Sequence, residues 1–110
     1  MILLSRAEEI ILLSVYKCGK NAYGVTIREQ IHKDIGRNWS FGVIYKTLKK
    51  MTNKGFVKKF QSRPIAERGG RSRYYYEVSQ KGLMAMEEIS RLHSSIWEGI
   101  SNLKLEKKVK

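Results

Sequence analysis

The sequence is poor in the residues that mark disulfide-bonded, metal-binding and membrane proteins. Cys18 is its only cysteine, so a disulfide framework and a cysteine-based metal cluster are excluded, and a reducing cytoplasm is predicted. His32 and His93 stand apart, and no spacing of His, Cys or carboxylates predicts a metal site. No apolar run approaches the ~18 residues of a membrane span, and the start MILLSRAEE lacks the pattern of a secretory signal.

Catalytic patterns are also missing. No nucleophile–base constellation and no glycine-rich phosphate loop is visible, so the sequence predicts neither an enzyme nor a cofactor. The pair Gly69–Gly70 indicates a turn. With 110 residues, 42% of them apolar and 29% charged, the chain is predicted to form one globular domain.

Acidic residues are scarce, and the excess positive charge is concentrated in the middle of the chain. The net charge is +12. Residues 37–82 contain twelve Lys/Arg and two Asp/Glu, a net of +10, whereas residues 1–36 and 83–110 each contain five against four, a net of +1. A concentrated basic block favours a polyanionic partner. An anionic membrane surface is an alternative, although the block lacks the long apolar face that such binding uses.

The segment 40–57 is predicted to be a helix that begins at Ser40, stops at Gly55 and passes into a strand. One side is apolar and predicted to face a core: Phe41, Ile44, Tyr45, Leu48 and Met51. The other side carries small residues and lysines: Ser40, Gly42, Val43, Lys46, Lys50 and Asn53, with Lys49 at its edge. This combination is typical of a helix that enters the major groove of DNA, and an ordinary solvated lysine face is the alternative.

Two helices are predicted to precede this segment. Ser5 and Glu8 form an S-x-x-E capping box that starts the first helix, which ends at Gly19. That helix is apolar on all sides, so burial by more than one neighbour is predicted, with a second subunit as one candidate. The second helix runs from Tyr23–Gly24 to Gly36, and its outward side, which includes Arg28, is mixed in charge. Two helices followed by a basic-faced helix are the order of a helix-turn-helix.

After Gly55 the periodicity changes from that of a helix to that of strands. Two strands, Phe56–Gln61 and Arg73–Val78, are predicted to form a hairpin. Its tip is strongly basic and contains Arg63, Arg68 and Arg71, flanked by Lys58, Lys59 and Arg73. Crowded like charges repel one another, and phosphates would relieve that repulsion, so DNA contact is predicted, with a solvated loop as the alternative. The tyrosines 74–76 are assigned to strand packing and phosphate-directed hydroxyls, with base stacking on single strands as another use.

A last helix is predicted from Gln80 to about Leu103, capped by Ser79. Apolar positions follow a 3–4 spacing along one side: Ala85, Ile89, Leu92, Ile96, Gly99/Ile100 and Leu103, with Trp97 and Met86 beside them. At about 24 residues, or ~36 Å, this helix is longer than the domain needs to complete its own core. The exposed apolar seam predicts a symmetric dimer.

In three stretches the chain resembles the PadR family of bacterial transcription regulators. The first is AYGVTI at 22–27. The second is S-x-G-x-x-Y-x-x-L, which begins at Ser40 and runs on to K-G-F-V at 54–57. The third is G-R-S-R-Y-Y-Y-x-V-S-x-x-G at 70–82. The resemblance covers nearly everything from Leu4 to about Leu103.

The resemblance implies a mainly helical winged helix-turn-helix fold with a small β-hairpin and a long C-terminal dimerisation helix. It implies a repressor whose first helix packs on the partner's last helix. Tyr45 would direct its hydroxyl toward a phosphate while its ring seats the helix. The single C-terminal helix is similar to that of the short branch of the family. Some members of this branch bind flat aromatic compounds between subunits through a Trp on that helix, and Trp97 lies at a similar place. Trp97 could therefore belong to the dimer core, to a ligand platform or to both. The family usually has Thr, Pro and Ala where this chain has Val43, Lys46 and Thr47, so the operator sequence is not transferable.

Together these observations predict a sequence-specific DNA-binding transcriptional regulator that is cytoplasmic and homodimeric. Residues 1–78 are assigned to the winged helix-turn-helix domain, 79–103 to the dimerisation helix and 104–110 to a basic tail. The predicted DNA-binding residues are Ser40, Gly42, Val43, Tyr45, Lys46, Lys49, Lys50, Arg63, Arg68, Arg71 and Arg73. The predicted residues for an aromatic ligand are Trp97, Ile96 and Ile100. The rival interpretations are an RNA-binding module and a protein-interaction winged helix.

Overall fold

A computed structural model describes residues 3–62 and 73–100. Within these ranges the elements are α1 (Arg6–Cys18), a short 3-10 turn (Gly19–Asn21), α2 (Gly24–Ile35), α3 (Phe41–Asn53), β1 (Val57–Gln61), β2 (Tyr74–Val78) and α4 (Gln80–Ile96). The order confirms the predicted mainly helical fold with one hairpin. None of the helices in the described ranges is long and apolar enough to cross a membrane.

Serine hydroxyls cap three of these helices at the positions that the sequence predicts. Ser5 Oγ accepts a hydrogen bond from Glu8 N at 3.1 Å, and the Glu8 carboxylate accepts one from Ser5 N at 2.9 Å. Ser40 Oγ accepts from Val43 N at 3.2 Å, and Ser79 Oγ accepts from Gly82 N at 3.0 Å. Each cap satisfies a backbone donor that has no partner within its helix.

The core lies between α1, α2, α3 and the base of the hairpin. It contains these buried apolar residues: Ile11, Leu12, Val15, Ala22, Ile27, Ile31, Ile44, Leu48, Met51, Phe56, Val57, Tyr76 and Ala85. α1 packs against α2, α3, β2 and α4. This confirms that the first helix is buried by more than one neighbour.

The hairpin is antiparallel, with Val57 opposite Val78 and Phe60 opposite Tyr75. Tyr76 N donates to Ala22 O at 2.8 Å, which joins β2 to the segment that leads into α2. Tyr76 is the buried tyrosine of the three, and burial is the main cause of the raised pKa of its hydroxyl. Of the three tyrosines, Tyr76 is therefore the one that enters the core, where Val57 of β1 is also buried.

The last helix is shorter than predicted, because α4 ends at Ile96 rather than near Leu103. Trp97 N bonds to His93 O at 3.1 Å, and Ile100 N bonds to Trp97 O at 3.0 Å. Gly99 has a φ of +87°, which is left-handed backbone that glycine adopts without strain. The sequence predicts that Gly99 belongs to the apolar seam of the helix. In the structure this residue lies in the turn that follows the helix. Residues 101–110, which include the predicted tail, lie outside the described residues.

A partly buried ion pair joins the first turn of α1 to the end of α3. Lys54 Nζ lies 2.6 Å from Glu8 Oε2, and Glu8 is only 8% exposed. The hydrogen bond from Lys54, followed by the backbone donor at Ser5, lowers the pKa of Glu8 below its ordinary value of 4.5. The folded state stabilises the carboxylate form of Glu8. The contribution of this carboxylate to the free energy of unfolding is therefore complete above pH 4.5 and is lost as the pH falls through the lowered pKa.

Glu8→Gln should lower the free energy of unfolding at pH 7 by about 1–2 kcal/mol, because the amide keeps the capping bond but loses the charge-assisted one. The difference from the wild type should shrink as the pH falls below 4.5. Urea unfolding at pH 7 and at pH 3 measures both effects.

The matched control is Glu9→Gln, since Glu9 makes only a 3.6 Å surface pair with Arg6. This control should change stability by less than about 0.5 kcal/mol at either pH. Equal stability of Glu8→Gln and the wild type at pH 7 would show that the Lys54 pair contributes nothing.

Candidate nucleic-acid interface

The outward face of α3 is formed by the small residues and lysines that the sequence places there. Ile44, Leu48 and Met51 are fully buried on the inner side, which fixes the rotation of the helix about its axis. The following residues of the opposite side are exposed: Ser40, Gly42, Val43, Lys46, Lys49, Lys50 and Asn53. A methyl group added at Gly42 would meet only Ser40 Oγ, at 3.9 Å, so a partner can approach the backbone closely there.

The prediction that Phe41 and Tyr45 face the core is wrong. Phe41 is 38% exposed and Tyr45 is 47% exposed, and their rings stack on each other with centroids 6.2 Å apart. They lie in the first half of α3, where the neighbouring surface is the N-terminal part of α2 rather than the core. Thr47, which precedes Leu48 in the helix, is buried instead. Its hydroxyl donates to Val43 O at 2.8 Å.

Tyr45 packs against α2 at a place where a side chain larger than glycine would displace the Tyr45 ring. A Cβ atom at Gly24 would come within 2.8 Å of Tyr45 Cζ and closer still to its hydroxyl oxygen. The first turn of α2 and the Tyr45 ring are therefore in direct contact. This role of Gly24 is not predicted from the sequence, although the glycine belongs to the AYGVTI motif at 22–27.

Arg28 fixes the turn between α2 and α3, which the sequence analysis also missed. Its Nε donates to Trp39 O at 2.9 Å, and its guanidinium carbon lies 4.7 Å from the centroid of the Phe41 ring. The sequence assigns Arg28 only to the mixed-charge outward side of the second helix. Its half-buried position shows that it connects the two helices of the helix-turn-helix.

Four cations of the described residues have an acidic partner there, and the lysines of α3 are not among them. Lys17 pairs with Asp34 at 2.9 Å, Lys54 with Glu8 at 2.6 Å, and Arg91 with Glu87 at 3.3 Å. Within residues 3–62 and 73–100, no carboxylate lies within ion-pair distance of Lys46, Lys49 or Lys50. The outward face of α3 therefore carries positive charge that this part of the protein does not neutralise.

The hairpin brings a second basic element beside α3. Arg73 has its guanidinium carbon 3.9 Å from the centroid of the Tyr23 ring, and Lys59 Nζ lies 4.3 Å from the centroid of the Tyr74 ring. Lys58 is exposed on the same strand as Lys59. Arg63, Arg68 and Arg71, which the sequence places at the hairpin tip, lie outside the described residues.

The predicted ligand residues lie at the other end of the described chain, at the end of α4. Ile96 is 63% exposed, Trp97 47% and Ile100 48%. His93 stacks on Trp97 with ring centroids 5.8 Å apart, so one face of the indole is covered within the subunit. These residues form an apolar surface that is separate from the lysines of α3.

The remaining reactive groups do not form a second site in the described ranges. Burial raises the pKa of the Cys18 thiol, which disfavours the reactive thiolate. No group of three His, Cys, Asp or Glu side chains in residues 3–62 and 73–100 has a geometry that could hold a metal ion.

A helix-turn-helix followed by a two-stranded wing defines the winged-helix class of proteins. Solved structures of this class are similar to the chain. They include a PadR family transcription regulator from Clostridium difficile R20291, with 22% identity, coverage of 89% of this chain and 100% of that one, and a TM-score of 0.68. F93 from STIV, a winged-helix DNA-binding protein, has 16% identity, coverage of 89% and 98%, and a TM-score of 0.67. A PadR family regulator from Eggerthella lenta DSM 2243 has 18% identity, coverage of 83% and 77%, and a TM-score of 0.66.

The family assignment comes from the sequence match. The model of the PadR-like family of transcriptional regulators matches residues 12–88, and the chain belongs to this family. Comparison with curated proteins found no match. The resemblance carried by the three motifs is confirmed, and the family is one of transcriptional regulators rather than enzymes.

Proposed function

We propose that this protein is a sequence-specific DNA-binding regulator that acts as a homodimer on double-stranded DNA and represses transcription. The observation that carries the proposal is the lysine cluster on the outward face of α3, which has no acidic partner among the described residues. Three such lysines repel one another, and that repulsion is relieved when phosphates replace the solvent around them. A helix that served only as a solvated surface would gain nothing from this arrangement.

The shape of the same face supports insertion into the major groove. Its first turn presents Ser40, Gly42 and Val43, which are small, and the lysines follow toward the C-terminal end. Small side chains let the helix approach base edges, whereas lysines reach the flanking phosphates or guanine. Ser40, Gly42, Val43, Tyr45, Lys46, Lys49 and Lys50 form the proposed groove surface.

The wing, which we define as β1, β2 and the connection between them, is the proposed second contact. Arg63, Arg68 and Arg71 would bind phosphates or the minor groove at its tip, and Arg73 belongs to its base. Since neutralising each phosphate releases counterions, a protein with many such contacts binds with a steep dependence on salt.

Lys46→Ala tests the groove assignment. If Lys46 contacts a phosphate, binding to all duplexes should weaken and the slope of log K against log salt should fall by about 0.9; if it contacts guanine, the preferred sequence should change instead. Duplexes are first selected from random DNA at physiological salt, and affinity is then measured by fluorescence anisotropy at several salt concentrations.

The control is Arg6→Ala, which removes an exposed charge from the start of α1 and should leave both the slope and the selected sequence unchanged. A Lys46→Ala protein that binds DNA like the wild type would refute the groove assignment. Stronger competition by duplex RNA than by duplex DNA would favour an RNA-binding module, and negligible salt-dependent binding would favour a protein-interaction winged helix.

The proposed dimer is supported by the apolar surface left uncovered on one subunit. On α4 and the turn after it, Ile96, Trp97 and Ile100 are exposed, and on α1 Leu13 and Tyr16 are exposed. Large exposed apolar side chains are typical of partner surfaces where they lie together, and the first and last helices are in contact. A second copy is the proposed partner, because a two-fold dimer would present two α3 helices to successive major grooves about 34 Å apart.

Ile96→Glu should convert the dimer to monomers, because it places a charge in the proposed interface while leaving the subunit core intact. Since Ile96 is 63% exposed in one subunit, the variant should unfold at nearly the wild-type temperature. Sedimentation equilibrium should show a dimer dissociation constant raised at least about tenfold. Ser94→Glu adds the same charge about 200° around the helix and should remain dimeric. Wild-type protein that sediments as a monomer at micromolar concentration would contradict the dimer.

Regulation by a flat aromatic ligand is the last part of the proposal. Trp97 has one ring face against His93, and the exposed remainder of its ring could stack on a planar compound, with Ile96 and Ile100 beside it. Such a ligand would release DNA only if it binds more tightly to a subunit arrangement whose α3 spacing does not match the operator.

Titration with planar cationic dyes should quench the fluorescence of Trp97 saturably. Trp39→Phe leaves Trp97 as the only indole, and Trp97→Phe leaves only Trp39, so the two variants form a matched pair. Quenching in the first variant and none in the second is the expected result. No saturable quenching of Trp97 by any dye would assign this tryptophan to the dimer core alone.

A further inference from the structure

Arg73 is held by the protein rather than directed freely into solvent. It is the first described residue after the wing tip, where Ser62 N donates to Arg73 O at 2.7 Å and Arg73 N donates to Ser62 Oγ at 3.0 Å. Its guanidinium lies over the Tyr23 ring at 3.9 Å, and Nη1 is 3.5 Å from Tyr75 Oη. The side chain therefore reaches from the wing back to the start of α2.

The contact continues through two more aromatic rings. Tyr23 meets Tyr75 edge-to-face with centroids 5.5 Å apart, and Tyr75 stacks on Phe60 with centroids 6.0 Å apart. We call Arg73, Tyr23, Tyr75 and Phe60 the wing-base stack. It joins both strands of the wing to the residue that precedes α2.

The segment that carries Tyr23 also contacts α3 and β2. Gly24 lies against the hydroxyl end of the Tyr45 side chain, and Ala22 O accepts the hydrogen bond from Tyr76 N. Residues 22–24 therefore touch both elements that are proposed to bind DNA. A change in the wing-base stack would alter the position of the wing relative to α3 without changing the charge of either.

We propose that Arg73 is a positioning residue of the DNA interface. Through Tyr23 it holds the wing at a fixed orientation to α3, so that both elements reach one duplex at the same time. This inference rests on the proposed DNA-binding function and adds to it a role for Arg73 other than phosphate contact. The guanidinium is already engaged by an aromatic face and a hydroxyl, whereas Lys46, Lys49 and Lys50 have no such partners among the described residues.

The difference between arginine and lysine separates the two roles. A planar guanidinium stacks on an aromatic ring, whereas a lysine ammonium is a strongly hydrated point charge. Either cation neutralises a phosphate. A lysine ammonium can lie over a ring, as Lys59 does over Tyr74, but it has no planar group that stacks on Tyr23 while a second nitrogen reaches Tyr75 Oη. Lysine at position 73 would therefore serve a phosphate contact but would weaken the wing-base stack.

The experiment compares Arg73→Lys with the wild type on the selected duplex. The variant should bind about threefold to thirtyfold more weakly, which is the range of a partly desolvated cation–π contact. The salt slope should stay unchanged, because the charge is retained. A duplex shortened so that it ends before the wing should bind both proteins equally. Arg6→Lys, at a side chain that is 80% exposed, is the matched control and should bind like the wild type.

A double-mutant cycle identifies the partner of Arg73. Tyr23→Phe keeps the ring and should bind like the wild type, whereas Tyr23→Leu should bind as weakly as Arg73→Lys. The double variant that combines Tyr23→Leu with Arg73→Lys should be no weaker than either single variant, because both changes remove the same contact. Thermal unfolding of each variant, followed by circular dichroism, establishes that the comparison is made on folded protein; if Tyr23→Leu does not fold, Arg73→Lys and Tyr23→Phe decide the question.

The possible results distinguish this inference from the function on which it rests. If the wild type binds the selected duplex and Arg73→Lys binds it with the same affinity, the positioning role is overturned and the DNA-binding function stays in place. Losses that multiply in the double variant would also overturn it, since they would show that Arg73 contacts DNA independently of Tyr23. A wild-type protein without salt-dependent duplex binding would remove the function and the inference together.

Discussion

Burial of one side of α3 is the constraint from which the rest of the site follows. Ile44, Leu48 and Met51 have no exposed surface, so the helix cannot rotate without bringing apolar side chains into water. With the rotation fixed, the small residues and the lysines must face outward. The basic surface is thus a consequence of hydrophobic packing on the opposite side of the same helix.

Around this helix, side chains that contact two elements at once set the geometry. Arg28 joins α2 to the turn before α3, and Gly24 lets the Tyr45 ring approach the first turn of α2. At the other end of α3, Lys54 reaches Glu8 of α1, and Lys81 Nζ of α4 donates to Lys54 O at 2.9 Å. Both ends of the proposed groove-reading helix are therefore fixed to neighbours, and its last turn is connected to the helix proposed to form the dimer.

The two proposed surfaces of the molecule differ in the interaction that would bind a partner to each of them. The face of α3 carries lysines without acidic partners among the described residues, so a polyanion with a matching groove would cover it. The end of α4 carries exposed Ile96, Trp97 and Ile100, so an apolar partner would cover it. Nearly all the net charge lies in residues 37–82, outside the segment that carries Ile96, Trp97 and Ile100.

The sequence by itself determined the order of the elements, the serine caps at Ser5, Ser40 and Ser79, and the lysine face of α3, because caps and periodicity are local properties. It also determined the family, through motifs whose spacing is preserved. Only the tertiary structure decided that Tyr45 and Phe41 lie outside the core, that Arg28 and Arg73 are bound to aromatic rings, and that Glu8 and Lys54 form a pair. Those contacts join residues distant in sequence, and no local pattern encodes which side chain a helix meets across the fold. The early end of α4 lies between these cases, since Gly99 was a visible stop signal that the apolar spacing around it obscured.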